Sequence, residues 1–95
     1  WFAAAKAAQI AMMKAYSRDP RFVQRGITFN TVCPGLVEIE GKTHLTHTAD
    51  VPWQPMGRMG QPVEVASLVC YLCSRNAAWI NGSCIVIDGG ESRAF

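Results

Sequence analysis

The chain has 95 residues, of which 49% are hydrophobic and only 17% are charged. A domain this short buries only about two thirds of its unfolded surface, so the apolar excess predicts that the chain is part of a larger fold. Its net charge of +2 is spread along the sequence, and no apolar run reaches the roughly 18 residues that span a bilayer, so neither nucleic acid nor a membrane is an expected partner.

Residues 1–17 are predicted to form a helix, because alanine dominates there and the sequence RDP at 18–20 supplies a stop. Apolar groups surround nearly the whole helix, so we expect it to be buried on several sides. The next residues, FVQRG, are typical of a short turn. Residues 27–32 predict a strand, since β-branched and aromatic side chains dominate and a Pro-Gly pair ends it.

Residues 36–59 show no sustained periodicity and predict a long loop, of the kind that often forms a lid or binding segment. A second helix is predicted from Pro62 to about Ser74, with Glu64 in its first turn near the positive end of the helix dipole. Residues 84–88 are nearly all apolar, which is typical of a strand buried on both faces of a parallel sheet.

The order helix, strand, loop, helix, strand predicts an α/β fold in which the two strands pair in parallel. Two strands do not make a doubly wound sheet, so we expect the remaining strands to lie upstream of residue 1. Ligands of open α/β sheets bind where the strands end. A binding site is therefore expected after Val32 and after Asp88, where the amides of Leu36 and Val37 could face a ligand.

The sequence offers two weak metal motifs, and we predict no metal site. His44 and His47 are three residues apart but have no evident third ligand, so solvated loop positions are favoured. Four cysteines favour core packing in a reduced, cytoplasmic protein over a disulfide or metal site: Cys33, Cys70, Cys73 and Cys84.

Four segments, AAAKAA, RGITFNTVCPGLV, GRMGQPVEVASLVCYLCS and INGSCIVIDGG, occur in this order along nearly the whole chain. In sequence and spacing they closely resemble the C-terminal part of the classical short-chain dehydrogenases/reductases. The resemblance implies that residues 1–95 are the C-terminal portion of a single Rossmann-type, dinucleotide-binding domain with a doubly wound parallel sheet. The glycine-rich loop and the catalytic serine of the family would precede Trp1.

The resemblance makes Lys6 the lysine of the family's Tyr-x-x-x-Lys motif, which binds the nicotinamide ribose and lowers the pKa of the tyrosine. Phe2 stands at the position of that catalytic tyrosine, and its ring has no proton to donate. Tyr16 is more than two helical turns beyond Lys6 and does not replace it. A naturally divergent subunit, an engineered substitution and omitted residues around Trp1 remain open as explanations.

In the same resemblance, four consecutive residues would orient the nicotinamide through their backbone: Pro34, Gly35, Leu36 and Val37. Ile39 stands where the family often has a threonine that bonds the cofactor carboxamide. Trp53, Met56 and Met59 either line a substrate pocket or pack the loop. Asp88 is expected to belong to a structural turn rather than to act as a catalytic acid.

The resemblance implies an oxidoreductase that uses NADP or NAD to transfer hydride to or from a small carbonyl or alcohol substrate. A homodimer or homotetramer is expected, together with contacts to the N-terminal portion of the same fold. The alternative is a non-catalytic subunit or cofactor-binding scaffold, and Phe2 is the residue that distinguishes the two.

Overall fold

A computed structural model describes residues 1–40 and 51–92. His44 and His47 lie outside the described residues, so their prediction stays untested. The elements follow in the order α1 (Phe2–Tyr16), α2 (Pro20–Val23), β1 (Thr31–Pro34), α3 (Pro62–Leu72), a 3-10 helix (Arg75–Ala77) and β2 (Cys84–Ile87).

The predicted first helix is confirmed as α1, which ends at Tyr16 and is capped by Ser17. The prediction of a simple turn in FVQRG is wrong in its first half, because Phe22 and Val23 complete α2. Asp19 explains this short helix: its carboxylate accepts the Arg21 N–H at 2.9 Å, and Pro20 occupies the first helical position, where proline is favoured.

The predicted parallel pair is confirmed, with Thr31 opposite Cys84 and Pro34 opposite Ile87. The predicted start of the first strand at residue 27 is wrong. Residues 29 and 30 bond instead to the turn before β2: Phe29 N–H donates to Asn81 Oδ1 at 3.0 Å, and Asn30 Nδ2 donates to the Ile80 carbonyl at 2.9 Å. These side-chain bonds take the place of a ladder, so β1 begins at Thr31.

The long loop and the second helix are confirmed within the described residues. Outside the two strands, an isolated parallel bridge joins Val37 to Gly60. In this bridge Glu38 N–H donates to the Gly60 carbonyl at 2.9 Å, and Gly60 N–H donates to the Leu36 carbonyl at 2.9 Å. The bridge brings the start of α3 beside the residues that follow β1.

The predicted burial of α1, of β2 and of the cysteines is not seen within the described residues, whose sheet has two strands. No residue of α1 is buried, β2 is exposed at alternate positions, and three of the four cysteines are exposed, with Cys33 half-buried. Local sequence makes these elements apolar, but the described residues supply no second layer to cover them. The buried hydrophobic side chains there are Val51, Met59 and Ala77.

Among the described residues, no helix is both long and apolar enough to cross a membrane.

Candidate functional site

The carboxyl ends of β1 and β2 meet at one edge of the sheet, where Gly35 packs tightly against the residues that follow β2. Gly35 N–H donates to the Ile87 carbonyl at 3.1 Å. A Cβ on Gly35 would lie 2.7 Å from Asp88 Cβ and 2.7 Å from Glu91 Oε2. Both distances are far below van der Waals contact, so only glycine allows this approach.

The Asp88 carboxylate closes the turn after β2, as the resemblance implies. Its Oδ1 accepts the Gly90 N–H at 2.9 Å, and its Oδ2 accepts the Ser92 N–H at 2.7 Å. A carboxylate with both oxygens in backbone hydrogen bonds is held in place as a structural cap. The turn thereby fixes Gly89 and Glu91 beside the end of β1.

The two amides expected to face a ligand differ. Leu36 N–H donates to Glu91 Oε2 at 3.2 Å. Val37 N–H makes no hydrogen bond within the described residues. A backbone donor at the strand ends is therefore available at Val37, whereas Glu91 already supplies the acceptor for Leu36.

Two clefts open at this edge. The first, of about 160 Å³, is lined by Leu36 and Val37, by Met56 of the loop and by Asp88 and Gly89, among others. The second, of about 330 Å³, is lined by Cys33, Pro34, Gly35, Val86, Asp88, Glu91 and Ser92. The structure thus brings five of the predicted site residues to the strand ends. Ile39 and Trp53 are each 57% exposed, and neither lines these clefts.

Phe2 and Lys6 face each other on α1, one helical turn apart. Lys6 Nζ lies 5.6 Å from the centroid of the Phe2 ring, a cation–π distance. Neither residue lines the two clefts formed by the described residues. The other end of α1 is tied to the edge where the strands begin, since Lys14 Nζ donates to the Gly82 carbonyl at 2.9 Å and Asn81 Nδ2 donates to the Ser17 carbonyl at 2.7 Å. Lys6 lies about 12 Å along the helix from Lys14.

An ion pair forms the wall of the first cleft at the start of α3. Arg58 donates two hydrogen bonds to Glu64, from Nη2 to Oε1 at 2.7 Å and from Nη1 to Oε2 at 2.9 Å. Glu64 Oε2 also accepts the Gln61 N–H at 2.8 Å. The hydrogen bonds from Arg58, followed by that from Gln61, lower the pKa of Glu64 from 4.5 to about 2. Sequence reasoning placed Glu64 in this turn but missed Arg58; the capping-box spacing from Gln61 to Glu64 is the signal that marks the helix start.

Cys33 and Cys84 form a thiol pair on the sheet, with their Sγ atoms 3.0 Å apart. The hydrogen bond to Cys84, together with burial, raises the pKa of the Cys33 thiol. A thiol with a raised pKa is a poor nucleophile. No group of three or more histidine, cysteine or acidic residues in the described ranges is arranged to hold a metal ion.

The chain is similar to known proteins over almost its whole length. A family model described as enoyl-(acyl carrier protein) reductase matches residues 1–92. A 3-oxoacyl-[acyl-carrier-protein] reductase of Vibrio cholerae is 40% identical over 92 residues, covering 94% of this chain and 37% of that protein. An acetoacetyl-CoA reductase of Rhizobium meliloti is 35% identical over 94 residues, covering 95% of this chain and 38% of that protein.

Solved structures of short-chain dehydrogenases are similar to this chain in fold. A short chain dehydrogenase from Bacillus anthracis superposes with a TM-score of 0.79 at 38% identity, covering 98% of this chain and 38% of that one. A doubly substituted short-chain dehydrogenase/reductase of Serratia marcescens gives a TM-score of 0.82 at 35% identity, covering 96% of this chain and 37% of that one. These likenesses confirm the predicted fold class, and the chain spans less than two fifths of the length of each of these relatives.

Proposed function

Because this chain belongs to the classical short-chain dehydrogenase/reductase family, we propose that it is the C-terminal portion of a Rossmann-type oxidoreductase that uses NAD or NADP. The substrate is a small molecule that carries a ketone or a secondary alcohol. One observation carries the proposal: within the described residues, Val37 keeps an unbonded N–H beside a cleft at the ends of two parallel strands.

The residues present fit a nicotinamide cofactor in their donor chemistry. The Val37 N–H is a donor with no acceptor among the described residues, and Gly35 lets the chain turn closely against β2. Lys6 presents an exposed ammonium, which suits ribose hydroxyl groups. In this proposal Lys6 binds the ribose, and the backbone of Pro34, Gly35, Leu36 and Val37 orients the nicotinamide ring. The cofactor, when bound, donates or accepts the hydride.

The loop of residues 38–59, which we term the substrate loop, covers the substrate in this proposal. Met56 supports it, because its side chain lines the same cleft as Leu36 and Val37. Ile39 and Trp53 are large apolar side chains that remain more than half exposed, so they are available to contact an apolar part of the substrate. Ketones and secondary alcohols with apolar substituents are therefore the substrate class to test first.

The whole protein is proposed to be a cytoplasmic homodimer or homotetramer. The exposed apolar surface of α1 supports this, because a helix with apolar groups around its whole circumference is typically covered on several sides. Neither nucleic acid nor a membrane is among the proposed partners.

A second function is favoured by one residue, Phe2. A phenyl ring neither donates nor accepts a proton, so a protein with Phe2 at the tyrosine position would bind the cofactor while turning over slowly. A cofactor-binding, non-catalytic subunit is therefore the competing proposal. The position of Lys6 Nζ, 5.6 Å from the Phe2 ring centroid, allows a direct test, because an ammonium there would lower the pKa of a phenol at position 2.

The test is Phe2→Tyr in the full-length protein, with Phe2→Leu as the matched control that adds no hydroxyl. We expect turnover of a suitable ketone to rise at least about a hundredfold in Phe2→Tyr and not in Phe2→Leu, the lower end of what a positioned acid contributes. Cofactor affinity, measured by fluorescence titration, should stay the same in both, since the phenol is not needed for binding.

Lys6→Met completes the test by removing the ammonium. It should weaken cofactor binding and abolish the gain in the Phe2→Tyr protein. Equal activity of the parent and the Phe2→Tyr protein would show that the proton comes from another group. Absence of cofactor binding in every version would contradict both proposals.

A further inference from the structure

The segment of residues 51–60, at the end of the substrate loop, contains a buried polar side chain. Val51, Gln54 and Met59 are 1%, 5% and 7% exposed. The segment thus supplies two of the three buried hydrophobic side chains of the described residues together with Gln54. A buried amide is costly unless all its polar atoms are paired, so its partners determine what it does there.

Gln54 uses both ends of its amide to join two distant segments. Nε2 donates to the Asp88 carbonyl at 2.7 Å, and Oε1 accepts the Met56 N–H at 2.7 Å. The opposite amide orientation would set oxygen against oxygen and N–H against N–H, so only this orientation fits. A Cβ on Gly89 would lie 2.9 Å from Nε2, and Gly89 has a φ of +62°, so glycine is required where the turn meets the amide.

We infer that Gln54 is a positioning residue that holds the segment of residues 51–60 against the strand ends, an inference that rests on the proposed function. Asp88 directly follows β2, and Met56 lines the cleft that also contains Leu36 and Val37. The two hydrogen bonds therefore fix Met56 relative to the candidate nicotinamide site. Releasing them moves the wall of the cleft without altering Lys6 or Val37.

The side chain at position 54 must supply a hydrogen-bond donor and an acceptor together. A carboxylate at this position keeps the acceptor for Met56 N–H but faces the Asp88 carbonyl with a second acceptor. A protonated carboxyl group regains the donor. Burial raises the pKa of such a carboxyl, so Gln54→Glu should lose the contact at high pH and recover it at lower pH.

The charged groups around the cleft do not obscure the recovery of this contact at lower pH. The Asp88 carboxylate is bonded to the Gly90 and Ser92 amides. The Arg58–Glu64 pair stays ionised over the range tested, because the pKa of Glu64 is about 2. Solvent-accessible carboxylates and guanidinium groups do not ordinarily titrate between about pH 6 and 8. His44 and His47 are common to the parent and to both Gln54 variants, so a recovery seen only in Gln54→Glu reports the introduced carboxyl.

The experiment uses full-length protein and two readouts, one of them independent of activity. Hydrogen exchange at the Met56 amide reports whether Gln54 holds the loop. Michaelis constants for a ketone, measured in the Phe2→Tyr background, report whether this matters for substrate. The variants are Gln54→Glu and Gln54→Leu, with Gln24→Glu at the exposed end of α2 as the matched charge control.

In Gln54→Glu at about pH 8, we expect about tenfold faster exchange at Met56 than in the parent at the same pH and about a tenfold higher KM, the equivalent of one lost hydrogen bond. Without the bond to Asp88 the carboxylate turns towards solvent and releases the Met56 N–H. kcat and cofactor affinity should change less than about threefold, because the groups that bind the cofactor are untouched. Both effects should shrink at about pH 6 in Gln54→Glu but persist in Gln54→Leu. Gln24→Glu should match the parent throughout.

Unchanged exchange at Met56 in both Gln54 variants would overturn the inference, as would faster exchange with an unchanged KM. If no version binds cofactor or reduces a ketone, the proposed function fails instead. Exchange at Met56 then still decides whether Gln54 holds the loop, since the pH recovery in Gln54→Glu is readable without turnover.

Discussion

Helices and strands usually supply the buried residues of a protein, but here helix α1 is largely exposed and the irregular segment of residues 51–60 contains buried residues. α1 is a 15-residue helix with no buried residue. The segment 51–60 lies outside every helix and strand, yet it contains three of the five buried residues of the described chain, the other two being Ser17 and Ala77. Helical structure in α1 follows from local propensity, whereas burial depends on which other segments are present.

The buried segment meets its polar requirements with side chains rather than with a ladder. Gln54 pairs with Asp88 and Met56, and no buried side-chain nitrogen or oxygen among the described residues lacks a partner. An irregular segment whose buried side-chain polar atoms are paired can therefore be buried without forming a strand. Burial of this segment therefore depends on long-range contacts such as the bond from Gln54 to Asp88.

The largest effect should come from Val51→Asp, which places a charge in the buried segment. Val51 is 1% exposed, so a carboxylate there would be buried without a partner. We expect the full-length protein to lose about 3 to 5 kcal/mol of unfolding free energy in urea titrations. Val63→Asp makes the same change at an exposed position in the first turn of α3, where a negative charge is favourable, and should cost little. Equal losses would show that segment 51–60 is not the buried region.

A smaller loss of stability is expected from a charge placed on α1. If the rest of the protein or a second subunit covers α1, as we propose, Ala8→Asp places a charge in that interface. We expect it to cost at least about 2 kcal/mol more than Gln9→Asp in urea titrations of the full-length protein. Equal costs would mean that this side of α1 faces water in the whole protein, and the contrast with segment 51–60 would stand.

The smallest effect should be the pH dependence contributed by Glu64, which anchors the end of segment 51–60 to α3. Its pKa falls from 4.5 to about 2 on folding, so the folded protein binds this proton more weakly than the unfolded chain. The stabilisation is present above about pH 4.5 and is lost as the pH falls towards 2. The pair is exposed, so its contribution is modest and screened by salt.

The measurement compares urea unfolding of the parent and Glu64→Gln between pH 7 and pH 2 at low salt. The gap between the two proteins should narrow only below about pH 4.5. A constant gap at every pH would show that hydrogen bonding at the helix start, rather than the ionised pair, stabilises this end of α3. Arg58→Gln should give the same narrowing, because it removes the other partner.

Local sequence was enough to predict the helices and the parallel pairing. Alanine content indicated α1, Pro62 and Glu64 indicated the start of α3, and the apolar run indicated β2. It was not enough for the start of β1, because the Asn30 and Asn81 side chains bond across 50 and 52 residues of sequence. Burial within the described residues was not predictable for the same reason: a pattern shows which side chains favour a core but not which chain segments supply it.

Some residues of the candidate site were likewise predicted from the sequence, and others were missed. The turn from Pro34 to Val37 was predicted from the resemblance, whose motifs are contiguous in sequence, and the role of Lys6 stays a prediction. Gln54 and Glu91 were missed, since their partners lie 34 and 55 residues away and neither residue stands in a motif. Contacts of this separation depend on the fold, and sequence spacing carries no signal for them.

The pairing of β1 with β2 also affects how the chain folds during synthesis. The bond from Ser83 N–H to the Asn30 side chain, at the start of the pair, closes a loop across 53 residues, and such closure costs roughly 3 to 4 kcal/mol of chain entropy. During synthesis β1 leaves the ribosome several seconds before β2, whereas a helix such as α1 forms within about a microsecond. On this side β1 is therefore an unpaired edge for most of that interval, and an unpaired edge is a site for aggregation until β2 arrives.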